Sequence, residues 1–282
     1  MLAMLDWLVV AIYLSALVAM SLYLSRRQET AEDYFVAGNS SGPISIALSV
    51  MATQCSTNSI LGAPAFVAFV VGGGLVWLQY ELALPLAMIF IAIFLIPVFH
   101  RQRLVSVYLY LGRRFDDKTQ LLISGMFQLS RAAVAGITVY GVASMIAITT
   151  GLSFAQSVVL FGAITIIYDV LGGIRAVIVS DVIQMIILTS VLGYLAYLLI
   201  GSAGGLESML AQIPAERTAA LSFRHHGLGD GHDFAFLPML IGGFFLYVAY
   251  YGCDQSQVQR QLCAATQDDN QKILMINGVL RF

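Results

Sequence analysis

From Tyr34 to Tyr80 the chain carries no charged residue, a run long enough to cross a bilayer twice. The middle of that run is not apolar. Ser49 to Gly62 reads S-V-M-A-T-Q-C-S-T-N-S-I-L-G, and Thr53-Gln54-Cys55-Ser56-Thr57-Asn58-Ser59 is small or polar throughout. Ser, Thr and Asn side chains compete with the backbone for hydrogen bonds and favour local breaks over regular helix. In hydrocarbon an unsatisfied backbone group is costly, so irregular backbone persists there only against protein or a polar cavity. A polar break in mid-span therefore predicts a place where main-chain carbonyls meet a cation and side chains meet a solute. The plainer alternative is a packing face, because small residues also line membrane helix interfaces.

Composition agrees with a membrane setting. Of 282 residues, 59% are hydrophobic and 11% charged, against roughly 25% charged in soluble domains. A net charge of −2 and the absence of a basic stripe argue against nucleic-acid binding. Cys55, Cys253 and Cys263 lie far apart and read as free thiols. The first apolar run, Trp7 to Ser25, is preceded by Asp6 and followed by Arg26-Arg27, the reverse of a signal peptide.

Measured against the roughly 20 apolar residues of a spanning helix, the chain predicts an all-α integral membrane protein. The expected spans are 6–25, a broken 43–70, 75–99 with Pro85 and Pro97 inside, 119–149, 156–172, 176–200 and 235–258. Those are about seven complete transmembrane helices, and a partial eighth begins near Lys272. With the N-terminus outside, the inner loops receive Arg26, Arg27, Arg101, Arg103, Arg113, Arg114, Lys118, Arg175, Arg260 and Lys272, ten cations. The outer loops receive two, Arg217 and Arg224, so positive charge is concentrated inside, as in a multi-pass cell (inner) membrane protein. Residues 201–234 form the long outer loop, with a short surface helix from Leu206 to Ile213 ended by Pro214. The half-span Ile273 to Phe282 predicts a piece of a longer protein or a truncated product, with a C-terminal portion missing.

Glu81, Arg131, Asp169 and Asp181 fall inside or at the edge of spans, where charges mark a solute or ion path, a proton relay or a buried pair. Arg131, among Ala132, Ala135 and Gly136, is placed to hold a carboxylate bidentately, or to pair with Glu81 or Asp181. Gly172-Gly173 make a tight turn at the inner surface. Beyond it Ser180, Asp181 and Gln184 form a polar patch suited to a cation or an inner gate, or to helix packing. Tyr247, Tyr250 and Tyr251 share one helix face near mid-span and read as a solute wall or gate. The loop Phe223–Asp233 holds three His and two Asp, but its spacing matches no zinc signature and it reads as a solvated loop. The spans show no nucleophile–base pair or metal-ligand spacing, so an intramembrane enzyme is not expected.

Three stretches carry a resemblance: A-T-Q-C-S-T-N-S-I-L-G-A-P-A (52–65), L-G-G-I-R-A-V-I-V-S-D-V-I-Q (171–184) and Y-Y-G-C-D-Q-S-Q-V-Q-R (250–260). The chain resembles the sodium:solute symporter family, whose members carry sugars, proline, pantothenate, iodide, monocarboxylates and sialic acid. The resemblance implies a LeuT-type inverted-repeat transporter. It would have an extra N-terminal helix at 6–25, a first five-helix repeat at 43–200, an extracellular loop at 201–234, and the start of a second repeat at 235–282. It further implies that the carbonyls of Ala52 and Cys55 form half of a sodium site, completed by hydroxyls beyond Phe282, and that Asp181 lines a second. Gln54, Ser56 and Ser59 are expected to face solute, as is either Gln79 or Glu81. Arg131 is similar to an arginine that holds a carboxylate, Tyr247 and Tyr250 to a ligand residue and an inner-gate tyrosine, and Arg281 to a solute-binding lysine. Asp169 departs from the family pattern. The implied activity is sodium-coupled symport of a small organic solute, with an anionic carboxylate expected, Na+ as coupling ion and no cofactor. Alternatives are a neutral solute of sugar or amino-acid type, a transporter-like sensor, or a truncated remnant.

Overall fold

A computed structural model describes residues 3–26 and 30–281. Its helices follow from local signals. α1 is Met4–Ser25. A short helix, Ala31–Val36, leads to α2, Pro43–Gln54, which opens with proline in its first turn. There the missing amide costs nothing and the fixed φ suits the helix. α3, Thr57–Phe69, follows after a break of two residues, Cys55 (φ −72°, ψ 84°) and Ser56 (φ −100°, ψ 173°). The two limbs are bent by 58°. The second crossing is thus kinked at the polar heptad.

α4, Leu75–Arg101, is a single apolar span built from successive short helices. Pro85 and Pro97 sit in the first turns of its pieces Ala83–Phe94 and Ile96–Arg101, where proline is tolerated. α5 is Val107–Arg114. α6, Asp117–Thr150, starts where Asp116 accepts the Thr119 amide at 2.7 Å and stops at Gly151 with φ 80°. α7, Phe154–Ser202, is one helical run interrupted at Gly173 (φ 58°, ψ −173°), a conformation that favours glycine. This is where the sequence places its turn, between the fifth and sixth spans. Short helices at Leu206–Ala211 and Ala215–Thr218 cross the loop 201–234. α8 is Phe236–Cys253, α9 is Gln255–Gln261, and α10 is Gln267–Leu280, capped by Thr266.

One expectation needs correcting. The seventh span is not a continuous helix over 235–258. It breaks at Asp254 (φ −79°, ψ 120°), whose carboxylate accepts the Ser256 amide at 2.9 Å and so starts a separate helix. An aspartate that caps amides two residues ahead outweighs the apolar run before it.

Among the described residues five helices are long and apolar enough to span, the bent α2–α3 pair adds a sixth, and Phe154–Tyr168 is a shorter apolar helix. The core lies where α2, α4, α8 and α10 meet. Ile46, Ala47, Val50, Ala83, Leu84, Ala87, Met88, Ile91, Ile273 and Leu274 are fully buried there. α8 approaches α4 closely at Gly243, where an added Cβ would lie 2.8 Å from the Tyr80 carbonyl. By contrast, α6 leaves Leu121, Leu129 and Ile148 at least 75% exposed, an apolar surface suited to lipid.

Candidate functional site

A cavity of about 700 Å³ opens beside the first break. Its polar lining is Gln54, Cys55 and Ser59 from the break, Trp77 and Glu81 from α4, and Arg281 just past α10; Met51, Phe66 and Val70 supply apolar walls. Three elements distant in sequence converge because α10 packs on both α2 and α4.

Arg281 and Glu81 form the charged centre. Arg281 Nε lies 3.0 Å from Glu81 Oε2, and its Nη2 donates to Oε1 at 3.1 Å, a side-on bidentate pair. The Tyr247 hydroxyl donates to Glu81 Oε2 at 2.8 Å and the Trp77 indole donates to Oε1 at 3.1 Å. Arg281 also sits over the Tyr247 ring, 5.1 Å from its centroid. Its Nη1 donates to Gln54 Oε1, which the Tyr251 hydroxyl also reaches. The charged centre of the cavity is therefore close to neutral, with a guanidinium on one side and a carboxylate on the other.

At the break the Cys55 amide donates to the carbonyls of Ala52 (3.0 Å) and Met51 (3.3 Å). The Gln54 carbonyl accepts the Ser56 amide at 2.9 Å and the Ser59 hydroxyl at 3.0 Å, and the Ser56 carbonyl accepts the amides of Ser59 and Ile60. The break is held by neutral groups. The charged side chain nearest to it is Arg281, which shares the cavity with Cys55 and bonds to the Gln54 side chain. Oxygen donors of this kind, at the negative end of a half-helix, suit a hard monovalent cation.

The other predicted site residues divide. Gln54, Cys55, Ser59, Glu81 and Arg281 line the cavity, and Tyr247 touches its charged pair. The sequence left Gln79 and Glu81 undecided, and the fold separates them. Glu81 faces the cavity, whereas Gln79 is fully buried, accepting the Ser222 amide at 2.7 Å and donating to the Phe234 carbonyl at 3.3 Å. Gln79 thereby fastens the loop 201–234 to α4. Ser56 lies in the break but outside the cavity lining.

Arg131 and Asp181 sit apart from that cavity. Arg131 pairs with Asp254 and donates to the Ser256 hydroxyl at 2.9 Å, between the rings of Phe127 and Tyr250. Its ion-pair partner is thus neither Glu81 nor Asp181. Asp181 accepts the Ser49 hydroxyl at 2.5 Å and pairs with Arg260 at 3.2 Å. Tyr250 packs edge-on against Tyr251, its centroid 5.2 Å away. The Asp169 side chain and Arg27 lie outside the described residues.

Sequence reasoning missed Trp77, Ser49, Arg260 and Asp254 as members of these networks. Tyr251, read in the sequence as part of a tyrosine face, meets Gln54 and Arg281 beside the cavity. The others owe their roles to contacts more than 70 residues away in sequence, or, for Trp77, to its place one turn before Glu81.

In the loop 201–234 Asp230 accepts the amides of Gly227 (2.9 Å), His226 (3.0 Å) and His232 (3.1 Å). The Gly227 amide foremost, with those of its neighbours and the nearby His226, holds the carboxyl down to about 2. This loop is organised by its own backbone.

Comparison with known proteins extends the picture. A model of the sodium:solute symporter family matches residues 34–279. The sodium/sialic acid symporter of Aliivibrio fischeri is 31% identical over 290 residues, covering 98% of this chain and 54% of that protein. The sodium-coupled monocarboxylate transporter 2 of Bos taurus is 29% identical over 256 residues, 89% of this chain and 40% of its own length. A solved substrate-bound, outward-open Na+-coupled sialic acid symporter superposes with a TM-score of 0.86 at 26% identity, covering 99% of this chain and 58% of that one. The chain spans about half the length of the relatives it matches. The helices, the kinked crossing and these matches together place this multi-pass membrane chain in the sodium:solute symporter family.

Proposed function

We propose that the protein is a sodium-coupled secondary active transporter that moves a small organic carboxylate by alternating access. One observation carries this reading: the 58° bend at Cys55–Ser56 opens onto a cavity of about 700 Å³ that holds the Glu81–Arg281 pair. The carbonyls of Ala52 and Cys55 bind sodium at the end of α2, in concert with hydroxyls that the family resemblance puts beyond Phe282. Gln54, Ser59, Tyr247 and Arg281 then meet the solute. Its carboxylate takes the place of Glu81 on one edge of the Arg281 guanidinium, and Glu81 keeps its bonds from Trp77 and Tyr247. Sialic acid and monocarboxylates, the solutes named for two relatives, both carry such a group. Because sodium and solute share the break, each raises the other's affinity by the same factor. The excess of inner-loop cations supports a cell-membrane protein with its N-terminus outside.

A second reading rests on the pairing itself. Glu81 cancels the charge of Arg281, so a neutral, hydroxyl-bearing solute bridging the two also fits. Proteoliposomes with an inward sodium gradient separate the readings. Uptake of small labelled carboxylates, abolished in Arg281→Gln and absent for the matching amides, supports the first. Equal uptake of acid and amide supports the second. No sodium-dependent uptake of either class would refute both.

A further inference from the structure

α4 ends in a basic turn whose cap departs from a local preference. The Leu104 amide donates to the Phe99 carbonyl at 3.4 Å, and the Arg103 amide to the His100 carbonyl at 3.2 Å. These are the two bonds of a Schellman cap, with Arg103 where the chain reverses. Its φ is 44°, left-handed backbone that glycine adopts freely and arginine does not. The capping bonds use main-chain atoms alone, so glycine would make them with less strain. The side chain needs a separate account. It is exposed, and among the described residues it makes no ion pair or side-chain hydrogen bond. Arg113 nearby differs, since its guanidinium donates to the Gln102 carbonyl. Arg103 instead lines a second cavity, of about 280 Å³, walled by Val36, Phe99, Leu104 and Leu262. His100 lines it too, and its Nε2 is buried with no hydrogen-bond partner among the described residues. A buried polar atom left unpaired is rare and calls for an explanation. No carboxylate is among the lining residues, so these two donors meet no competing anion there. The setting is the end of a membrane span. Ile93 and Phe94, about two turns earlier on α4, are each 57% exposed and form an apolar surface suited to acyl chains. In the orientation proposed above, this end faces the cytoplasmic leaflet, where anionic lipid gathers and basic pockets between helices hold headgroups.

We propose that this second cavity binds a phosphate group, with the Arg103 guanidinium and His100 Nε2 donating to its oxygens. An anionic phospholipid headgroup is the source that the setting favours, and a small soluble phosphate carries the same chemistry. Arginine suits the task because its planar fork meets two phosphate oxygens at once. His100 supplies its proton as the Nε2–H tautomer or as the imidazolium. The site shares no lining residue with the cavity beside the first break, and its test needs no transport.

The full-length protein, purified in an uncharged detergent, is titrated separately with short-chain phosphatidylglycerol, glycerol phosphate and inorganic phosphate, and bound molecules are counted by native mass spectrometry. Arg103→Gly is expected to weaken binding by about tenfold or more. Because glycine relieves the left-handed strain, the Tm of that variant without ligand is expected to stay at or above the parent's, which separates a lost site from a damaged fold. Arg103→Gln keeps the parent's backbone strain and is expected to bind as weakly. His100→Ala is expected to weaken binding by about threefold, and His100→Gln to recover part of that, since its amide can still donate. Arg101→Gln removes a neighbouring charge that does not line the cavity, and is expected to bind like the parent. Parent-like binding in both Arg103 variants, an equal loss in Arg101→Gln, or no phosphate-bearing probe held by the parent would overturn the proposal. Phosphatidylglycerol bound where glycerol phosphate is not assigns the site to lipid. Glycerol phosphate or inorganic phosphate bound as tightly as the lipid assigns it to a soluble phosphate.

Discussion

Among the described residues the break at Cys55–Ser56 and the break at Asp254 are made by opposite means. At Cys55–Ser56 the break is made of neutral residues, and Gln54, Cys55 and Ser59 beside it line a cavity. At Asp254 the break is closed on itself: the carboxylate takes the Ser256 amide and hydroxyl and pairs with Arg131, and Gln261 donates to the freed Tyr251 carbonyl at 2.7 Å. Interrupted helices in lipid must satisfy the backbone groups they release. The second break does so with a carboxylate, an arginine and a glutamine. The first does so with its own amides and the Ser59 hydroxyl, and it lies beside a chamber.

The largest effect should come from the pair beside the first break. Arg281→Gln leaves Glu81 buried without its partner, which costs about 3 kcal/mol or more. Uptake of a carboxylate should fall by about a hundredfold in initial-rate assays. A variant with normal uptake would mean that the first break serves packing only.

Next comes straightening. Filling the break with helix formers, Cys55→Leu with Ser56→Leu, should weaken sodium binding by about tenfold in a titration of uptake against sodium. Cys55→Ser alone should change little, because the proposed ligand at that position is a carbonyl.

At the break residues themselves, stability should depend on Asp254 and not on Ser56. Asp254→Asn removes the ion pair with Arg131, which is about one-third exposed, and should lower stability by about 1 kcal/mol, read as a reduced Tm in detergent. Ser56→Ala should leave Tm nearly unchanged, since that hydroxyl caps no amide in α3. Equal losses at the two breaks would erase the distinction between them.

The smallest effect concerns the loop 201–234. The Asp230 carboxyl is held down to about 2, below its ordinary value of 3.8. The order it gives the loop is therefore present above that ordinary value and is lost as pH falls through about 2. Amide signals of His226, Gly227 and His232 should stay protected at pH 4 and lose protection near pH 2, with the spans unaffected.

How much of this was legible in the sequence differs between the two breaks for the same reason. The first stands out because seven small or polar residues interrupt an uncharged run, a contrast visible within one window. The second hides at the end of an apolar helix, where Asp254 looks like an ordinary inner-surface charge. Its meaning lies in Arg131, 123 residues away. The same holds for Asp181, legible as a buried charge but not as the partner of Arg260. Spans, turns and caps are local, so periodicity and Gly, Pro and Asp signals disclose them. Which charges pair is set by packing between distant helices, and a lone sequence carries little trace of it.

Hydrogen exchange across Ser49 to Ile60 in the full-length protein tests the central claim most directly. With choline replacing sodium, the amides around Cys55 and Ser56 should exchange quickly, and sodium, but not potassium, should slow them by at least about tenfold as the carbonyls of Ala52 and Cys55 close on the ion. Slow exchange that is the same with and without sodium would show a rigid crossing that binds no cation, and would contradict the account.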